Sequence, residues 1–308
     1  MITAAREFAA RNIVCYTENI MSVLFCDTDC ELWYTTAREL GVKVIPMPYT
    51  IDGEERLYDL GENTDLDAFF KRMREGATVS TAGLNPETYI EIFKPYFEAG
   101  EDILYVAFSS KMSNTFSYLQ IAIDELSAQY PGVKYRRFDT LSICMGAGLM
   151  VYMAAKFFNA NGGDIDATYD YLETLVQNVA VLFAVDDLKY LARGGRLSPA
   201  KAAIGNVLQL KPVLYVNKEG EIDVLTKQKG FKKAMSYIVS SFEQKYRPVE
   251  GAPVVIVGAA CDDYVAELRS RIEPLVKGAE IMVQPVGPVI GAHCGPGTYG
   301  IIFTAESR

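Results

Sequence analysis

The feature that most constrains this chain is an alternation that begins near residue 22 and continues to the end. Short apolar runs of strand length are each followed by a stretch of helical character, and this order predicts parallel βαβ units. The first unit reads as strand Ser22–Cys26, then helix Cys30–Leu40 capped by Asp27-Thr28-Asp29 and ended by Gly41, then strand Val42–Met47. Pro48 to Ile51 continues extended, and Asp52-Gly53 makes a turn. Helices follow over Asp65–Arg74 and from Asn85-Pro86 to Glu98. Strand Asp102–Phe108 leads into helix Phe116–Tyr130, and strand Val133–Phe138 precedes an apolar helix from Gly146 to Asn159. Gly146 and Gly148 would let that helix approach another backbone or a ligand closely.

Asn161-Gly162-Gly163-Asp164 is the best internal boundary. Beyond it the pattern gives helix Asp166–Asn178, strand Val179–Val185 and a helix from Ser198-Pro199 to Leu208. A hairpin of Pro212–Val216 and Ile222–Thr226 follows, then helix Lys229–Tyr246 and strand Pro253–Ala259. Asp262-Asp263 caps a helix to Val276, and the chain ends with strands Ile281–Pro285 and Tyr299–Thr304. At 308 residues the chain exceeds the usual size of one core, so two domains are expected, 21–162 and 163–308.

Several function classes are disfavoured at this level. A net charge of −9 without a basic stripe argues against a nucleic-acid surface. No apolar run reaches about 18 residues, so no transmembrane helix is expected. Arg6 and Arg11 without a long apolar segment do not make a signal peptide. Residues 1–20 are either an N-terminal extension or lie upstream of a start at Met21. The six cysteines match neither a zinc site nor a disulfide framework, which points to free thiols in a reducing cytoplasm.

The chemistry-bearing residues cluster in loops. Thr78 to Pro86 is a hydroxyl-rich loop containing Thr81 and Ala82. Ser109 to Thr115 lies at a strand-to-helix turn, where Ser113 is either a helix cap or a ligand contact. Arg193-Gly194-Gly195-Arg196 is a cationic turn that either cradles an anion or is simply solvated. His293, the single histidine, sits in a Gly/Pro-rich segment and reads as structural or as part of a site. Gly146-x-Gly148 does not directly follow the first strand, which argues against a nicotinamide- or flavin-dependent oxidoreductase. A serine hydrolase using Ser113 and His293 is the main alternative, but no Gly-x-Ser-x-Gly elbow is present.

Taken together, these pieces resemble the DegV family, whose members are similar to the fatty-acid-binding subunit of bacterial fatty acid kinase. The resemblance rests on Cys26-Asp27-Thr28, Val44 to Pro48 with Asp52-Gly53, Thr81 to Pro86, and Ser109-Ser110-x-x-Ser113-Asn114-Thr115. It continues with Phe138-Asp139-Thr140, Gly146-x-Gly148, Asp187 to Ser198, Lys211-Pro212, and Gly291-x-His293-x-Gly-Pro-Gly297. It implies a DegV-like two-domain α/β protein, with an N-terminal Rossmann-like parallel sheet and a C-terminal α/β domain with a mixed sheet. It further implies a bound long-chain fatty acid, such as a C14–C18 acid, and no cofactor. Thr81 and Ser113 would hold the carboxylate, with Arg196 and His293 near the head group or its phosphate and Ala82, Asn114 and Thr115 in the supporting loops. Ala82 stands where the family usually has Ser, and Asn114 where it usually has Gly, which bears on ligand choice. Asn tolerates left-handed backbone, so the turn is expected to survive. The implied partners are an ATP-dependent fatty acid kinase subunit and a downstream acyltransferase of phospholipid synthesis, with transient contact at a membrane surface. Burying about 14 methylenes would contribute on the order of 11 kcal/mol gross. A neutral hydrogen bond to the head adds only about 1 kcal/mol net. The tail is therefore expected to supply most of the affinity and the head-group donors the orientation.

Overall fold

The computed structural model describes residues 22–198, 210–276 and 278–308. The helix expected from Pro199 to Leu208 and the leading 20 residues lie outside the described residues. The first half runs β1 (Ser22–Asp27), α1 (Tyr34–Glu39), β2 (Lys43–Ile45), β3 (Pro48–Ile51), β4 (Glu54–Leu57), α2 (Leu66–Arg74), β5 (Val79–Thr81), α3 (Pro86–Ala99) and β6 (Asp102–Ala107). It continues with α4 (Thr115–Gln129), β7 (Tyr135–Asp139), α5 (Met145–Ala160) and α6 (Ile165–Leu175). The second half runs β8 (Val179–Ala184), α7 (Lys189–Arg193), β9 (Leu210–Val216), β10 (Ile222–Lys229), α8 (Phe231–Lys245) and β11 (Val254–Gly258). It ends with α9 (Asp262–Ile272), β12 (Ile281–Pro285), α10 (Pro288–Cys294) and β13 (Tyr299–Thr304).

The expected parallel units form a four-stranded sheet in the order β2-β1-β6-β7, every neighbour parallel. The second sheet is mixed and six-stranded, β10-β9-β8-β13-β11-β12, with β13 antiparallel to both neighbours and β11–β12 parallel. Local chemistry sets many boundaries as the sequence predicts. Asp65 accepts from the Ala68 N–H at 2.9 Å to start α2, and Asn85 accepts from the Thr88 N–H at 2.8 Å to start α3. Gly100 ends α3 at φ 74°.

The two sheets share α5. It contacts β1 and β6 on one side and β8, β11 and β13 on the other. That position explains its sequence: a helix apolar all round must be buried all round. Gly148 lets it meet the chain after β1, since a Cβ there would lie 2.3 Å from the Cys30 carbonyl oxygen. Helix α6, beyond the expected boundary at 162, packs on β6 and β7 of the parallel sheet. Helices α8 and α9 cover the far face of the mixed sheet through Met235, Ile238, Phe242 and Leu268.

Four local expectations are corrected. No helix spans Cys30–Leu40. Asp27 accepts from the Asp29 N–H at 2.9 Å and folds Thr28–Cys30 into a 3-10 turn, and Glu31 then turns left-handed at φ 57°. Glu31 is held there by Tyr58 Oη at 3.0 Å and the Gly287 N–H at 2.9 Å, so the helix begins only at Tyr34. The hydroxyl loop at Val79–Thr81 is a strand, paired with β3 in a three-stranded antiparallel sheet, β4-β3-β5. The Gly/Pro-rich segment before the last strand contains helix α10. Its glycines recur every four residues, so Gly287, Gly291 and Gly295 let its surface close on Tyr58, Phe70 and Tyr190. Asp262 and Asp263 lie within the first turn of α9 rather than at its cap, where the helix dipole still favours them.

Candidate functional site

Helix α10 carries the end of the chain onto the small sheet, touching β3, β5, α2 and α7. This docking places His293 beside Thr81 at the end of β5, with His293 Nε2 and Thr81 Oγ1 2.8 Å apart. The turn after α7 arrives from the other side. A Cβ on Gly194 would lie 2.1 Å from His293 Nδ1, so only glycine fits against the ring there. Arg196 donates from Nε to the Met112 carbonyl at 3.0 Å and from Nη1 to the Gly194 carbonyl. Residues from four separate segments are thus joined in one chain of contacts, from Thr81 through His293, Gly194 and Arg196 to Met112, next to Ser113.

Thr81, Met112, Ser113, Arg196 and His293 line one end of a cavity of about 980 Å³, counting the space at its mouth. It lies beyond the carboxyl ends of the parallel strands, where open α/β sheets place ligands. Thr81, Ala82, Ser113, Arg196 and His293 all line it. The rest of the wall is mainly apolar. The mixed sheet contributes one face through Val181, Phe183, Ile222, Val257 and Ile302, and Phe108 and Met112 close it from the first half. Gly300 keeps the middle of that face low, because a Cβ would strike Phe183 at 2.7 Å.

Two expected residues are not in this wall. Asn114 is the N-cap position of α4 at φ −87°, not left-handed, and lines a second, surface depression with Ser110, Ser117 and Arg137, which Ser113 borders as well as the cavity. The strand-to-helix turn therefore does not use the left-handed backbone that Gly or Asn would favour. Thr115 is buried and pairs with Tyr89 Oη at 2.8 Å, and its side chain abuts Gly83. Its role is to pack the Thr81–Gly83 segment against α4.

The electrostatics favour binding an anion. Arg196 forms no ion pair with a carboxylate among the described residues, and burial lowers its pKa from the ordinary arginine value. His293 is pushed down to about 3 by burial and by Arg196 and Arg193, so it is neutral at neutral pH. Its Nδ1 is buried without a hydrogen-bond partner among the described residues. An unpartnered lone pair is cheaper to bury than an unpartnered N–H, which places the proton on Nε2. Nε2–H then donates to Thr81 and leaves the Thr81 hydroxyl proton free for a ligand. Ser113 Oγ accepts from the Thr115 N–H at 3.2 Å and also retains its own proton to donate. The histidine is bonded to Thr81 and not to Ser113, and among the described residues no acid orients its other nitrogen, so these residues assemble no Ser–His nucleophile pair.

One lining residue was missed by the sequence reading. Asp29 is only 5% exposed, lines the same end of the cavity, and has one carboxylate oxygen without a hydrogen-bond partner among the described residues. Its signal was the run Asp27-Thr28-Asp29-Cys30-Glu31, three acids in five residues directly after a strand, which was read as a cap. No group of side chains among the described residues is arranged to hold a metal ion, and no described helix is long and apolar enough to cross a membrane.

Comparison with known proteins agrees with this architecture. A DegV domain-containing protein of Clostridium perfringens is 32% identical over 286 residues, 93% of this chain and 98% of its own. One from Lactococcus lactis is 33% identical over 269 residues, 86% of this chain and 91% of its own. The solved structure of a fatty-acid-binding DegV family protein from Thermus thermophilus matches with TM-score 0.79 at 30% identity, covering 92% of this chain and 99% of that one. A DegV lipid binding protein from Thermotoga maritima shares the fold, with TM-score 0.80 at 24% identity over 93% of this chain and 99% of that one. Residues 22–306 match the family described as "Uncharacterised protein, DegV family", and the chain belongs to the DegV family.

Proposed function

We propose that this protein binds a long-chain fatty acid, with the tail along the face of the mixed sheet and the carboxylate at Thr81, Ser113, Arg196 and His293. The observation that carries this reading is one continuous cavity with hydrogen-bond donors gathered at one end and an apolar wall over the rest. The fatty-acid binding of the Thermus thermophilus relative, at 30% identity over nearly the whole chain, supports it. In this reading the protein is a carrier, not a catalyst. It presents the carboxylate to a separate ATP-dependent kinase subunit, which forms an acyl phosphate that a downstream acyltransferase consumes. Arg196 supplies the positive charge that the added phosphate requires, and Thr81 and Ser113 fix the orientation.

The test is mass spectrometry of the organic extract of the purified protein beside that of the Thr81→Ala/Ser113→Ala double variant. A stoichiometric C14–C18 acid in the parent, reduced in the variant, is expected. Absence of any fatty acid from the natively purified parent, together with no uptake of added acid, would discard the reading.

A further inference from the structure

The cavity end that receives the head group contains an acid as well as its donors. Asp29 projects from the 3-10 turn after β1, a turn fixed by Asp27 on the Asp29 N–H at 2.9 Å and by Thr28 Oγ1 on the Met47 N–H at 2.9 Å. It is almost fully buried, one of its oxygens has no partner among the described residues, and it forms no ion pair there with Arg196. The charged and titratable groups around it come from every neighbouring element. Asp27 and Glu31 flank it on its own turn, Arg196 faces it from the segment after α7, and Tyr89 of α3 and Cys144 before α5 feel its charge. His293 of α10 shares the cavity wall. Only Arg196 among these is cationic at neutral pH; Arg193, which also acts on His293, is exposed and outside the cavity wall.

One cation cannot neutralise two carboxylates. A fatty-acid carboxylate entering this end uses the charge of Arg196, and an ionised Asp29 beside it would then be a buried, uncompensated anion. Two carboxyl groups forced together resolve this by sharing one proton. Resting on the fatty-acid reading above, we propose that Asp29 is a further head-group residue, a carboxylic acid that keeps its proton and donates it to the bound carboxylate. The site then holds its ligand as an acid–carboxylate pair beside Arg196. Burial and the flanking acids Asp27 and Glu31 already favour the protonated form in the empty site, and the arriving carboxylate favours it further.

This has a definite sign. Where Asp29 is ionised in the empty protein, binding takes up a proton from solvent, and affinity falls by up to about tenfold per pH unit as pH rises. Where it is already protonated, affinity is flat. Tetradecanoic acid binding is to be measured by calorimetry between about pH 6 and pH 9, in pairs of buffers with different ionisation enthalpies, for the parent and Asp29→Asn. The Asn side chain is isosteric and supplies a donor that cannot ionise. Expected are net proton uptake and weakening affinity toward alkaline pH in the parent, and neither in Asp29→Asn, so that the variant binds more tightly at the alkaline end. Parallel flat profiles in which Asp29→Ala, without the donor, binds as tightly as the parent, or an Asp29→Asn protein that binds more tightly by the same factor at every pH, would overturn the proposal while leaving the fatty-acid reading intact. Should Asp29→Asn not fold, Asp29→Ala decides: a variant that lacks the donor yet holds the acid as tightly as the parent at every pH overturns the assignment. A parent that binds no fatty acid at any pH overturns both.

Discussion

Glu31 and His293 illustrate how burial decides the charge of single residues in this fold, in opposite directions. Glu31 is pushed up to about 8 by burial, against the pull of the Gly287 N–H and Tyr58 Oη. Its folded pKa lies above its unfolded value, so its contribution to stability is fully present below the unfolded pKa, near 4.5. That contribution is lost as pH rises through about 8, at up to about 1.4 kcal/mol per pH unit within the window. In Glu31→Gln the amide accepts from Gly287 and donates to Tyr58 without ionising. The variant should therefore gain on the parent as pH rises from mildly acid to mildly alkaline, when both are unfolded by urea across that range. Parallel curves would show that Glu31 is charged in the folded protein after all. His293 has the opposite sign. Its folded pKa of about 3 lies below the reference value of 6.5, so it favours folding fully above 6.5 and less as pH falls toward 3. The proton on Nε2, rather than on Nδ1, is what leaves Thr81 able to donate to a ligand.

At the scale of elements, close approach explains both what the sequence made legible and what it hid. The strands and long helices were legible because each carries its own signal. Val179–Ala184 and Tyr299–Thr304 are continuous apolar runs, and Asp65 and Asn85 mark helix starts. Helix α10 and strand β5 were not, because their partners are distant in sequence. Gly287, Gly291 and Gly295 read as a pliable loop until Tyr58, Phe70 and Tyr190 are beside them. The same reasoning separates the site residues. Thr81, Ser113, Arg196 and His293 lie in segments whose chemistry and family resemblance stand out, whereas Asp29 looked like a helix cap because its role depends on Arg196, far along the chain. Helix α5 gives the sharpest test of such contacts. Gly148→Ala puts a methyl against the backbone oxygen of Cys30, which cannot rotate away. The usual gain of about 0.5–1 kcal/mol for Gly→Ala in a helix should be reversed into a loss of about 1–3 kcal/mol or more. Gly132→Ala, with nothing within 4 Å of the new Cβ, is the control and should leave the unfolding midpoint nearly unchanged. Equal midpoints for the two variants would mean that α5 and the turn after β1 are not in contact.

At the scale of the whole molecule, one hydrophobic cluster runs from Val23 and Phe25 in the parallel sheet through Leu149 of α5 to Val255 and Ile302 in the mixed sheet. The cavity is walled by both halves of this cluster, so a tail held there is desolvated by the entire fold while the head remains with segments from both halves. In the proposed function this division of labour would separate retention of the ligand from its activation. The tail's burial scales with its methylenes and does not depend on any one head-group residue. In the proposed function, the charge that must be stabilised when a carboxylate becomes an acyl phosphate would fall on Arg196, which forms no ion pair among the described residues. Arg196→Ala should therefore keep most of its fatty acid through purification but lose acyl phosphate formation when supplied with ATP and a fatty acid kinase subunit. Arg196→Lys, which keeps the charge without the fork that reaches Met112 and Gly194, should recover part of it. Trapping the acyl phosphate as a hydroxamate reads turnover, and the lipid extract of the same sample reads retention. If Arg196→Ala loses its fatty acid and its turnover together, Arg196 serves binding alone. If turnover is unchanged with lipid retained, the phosphate charge is stabilised by the kinase subunit instead.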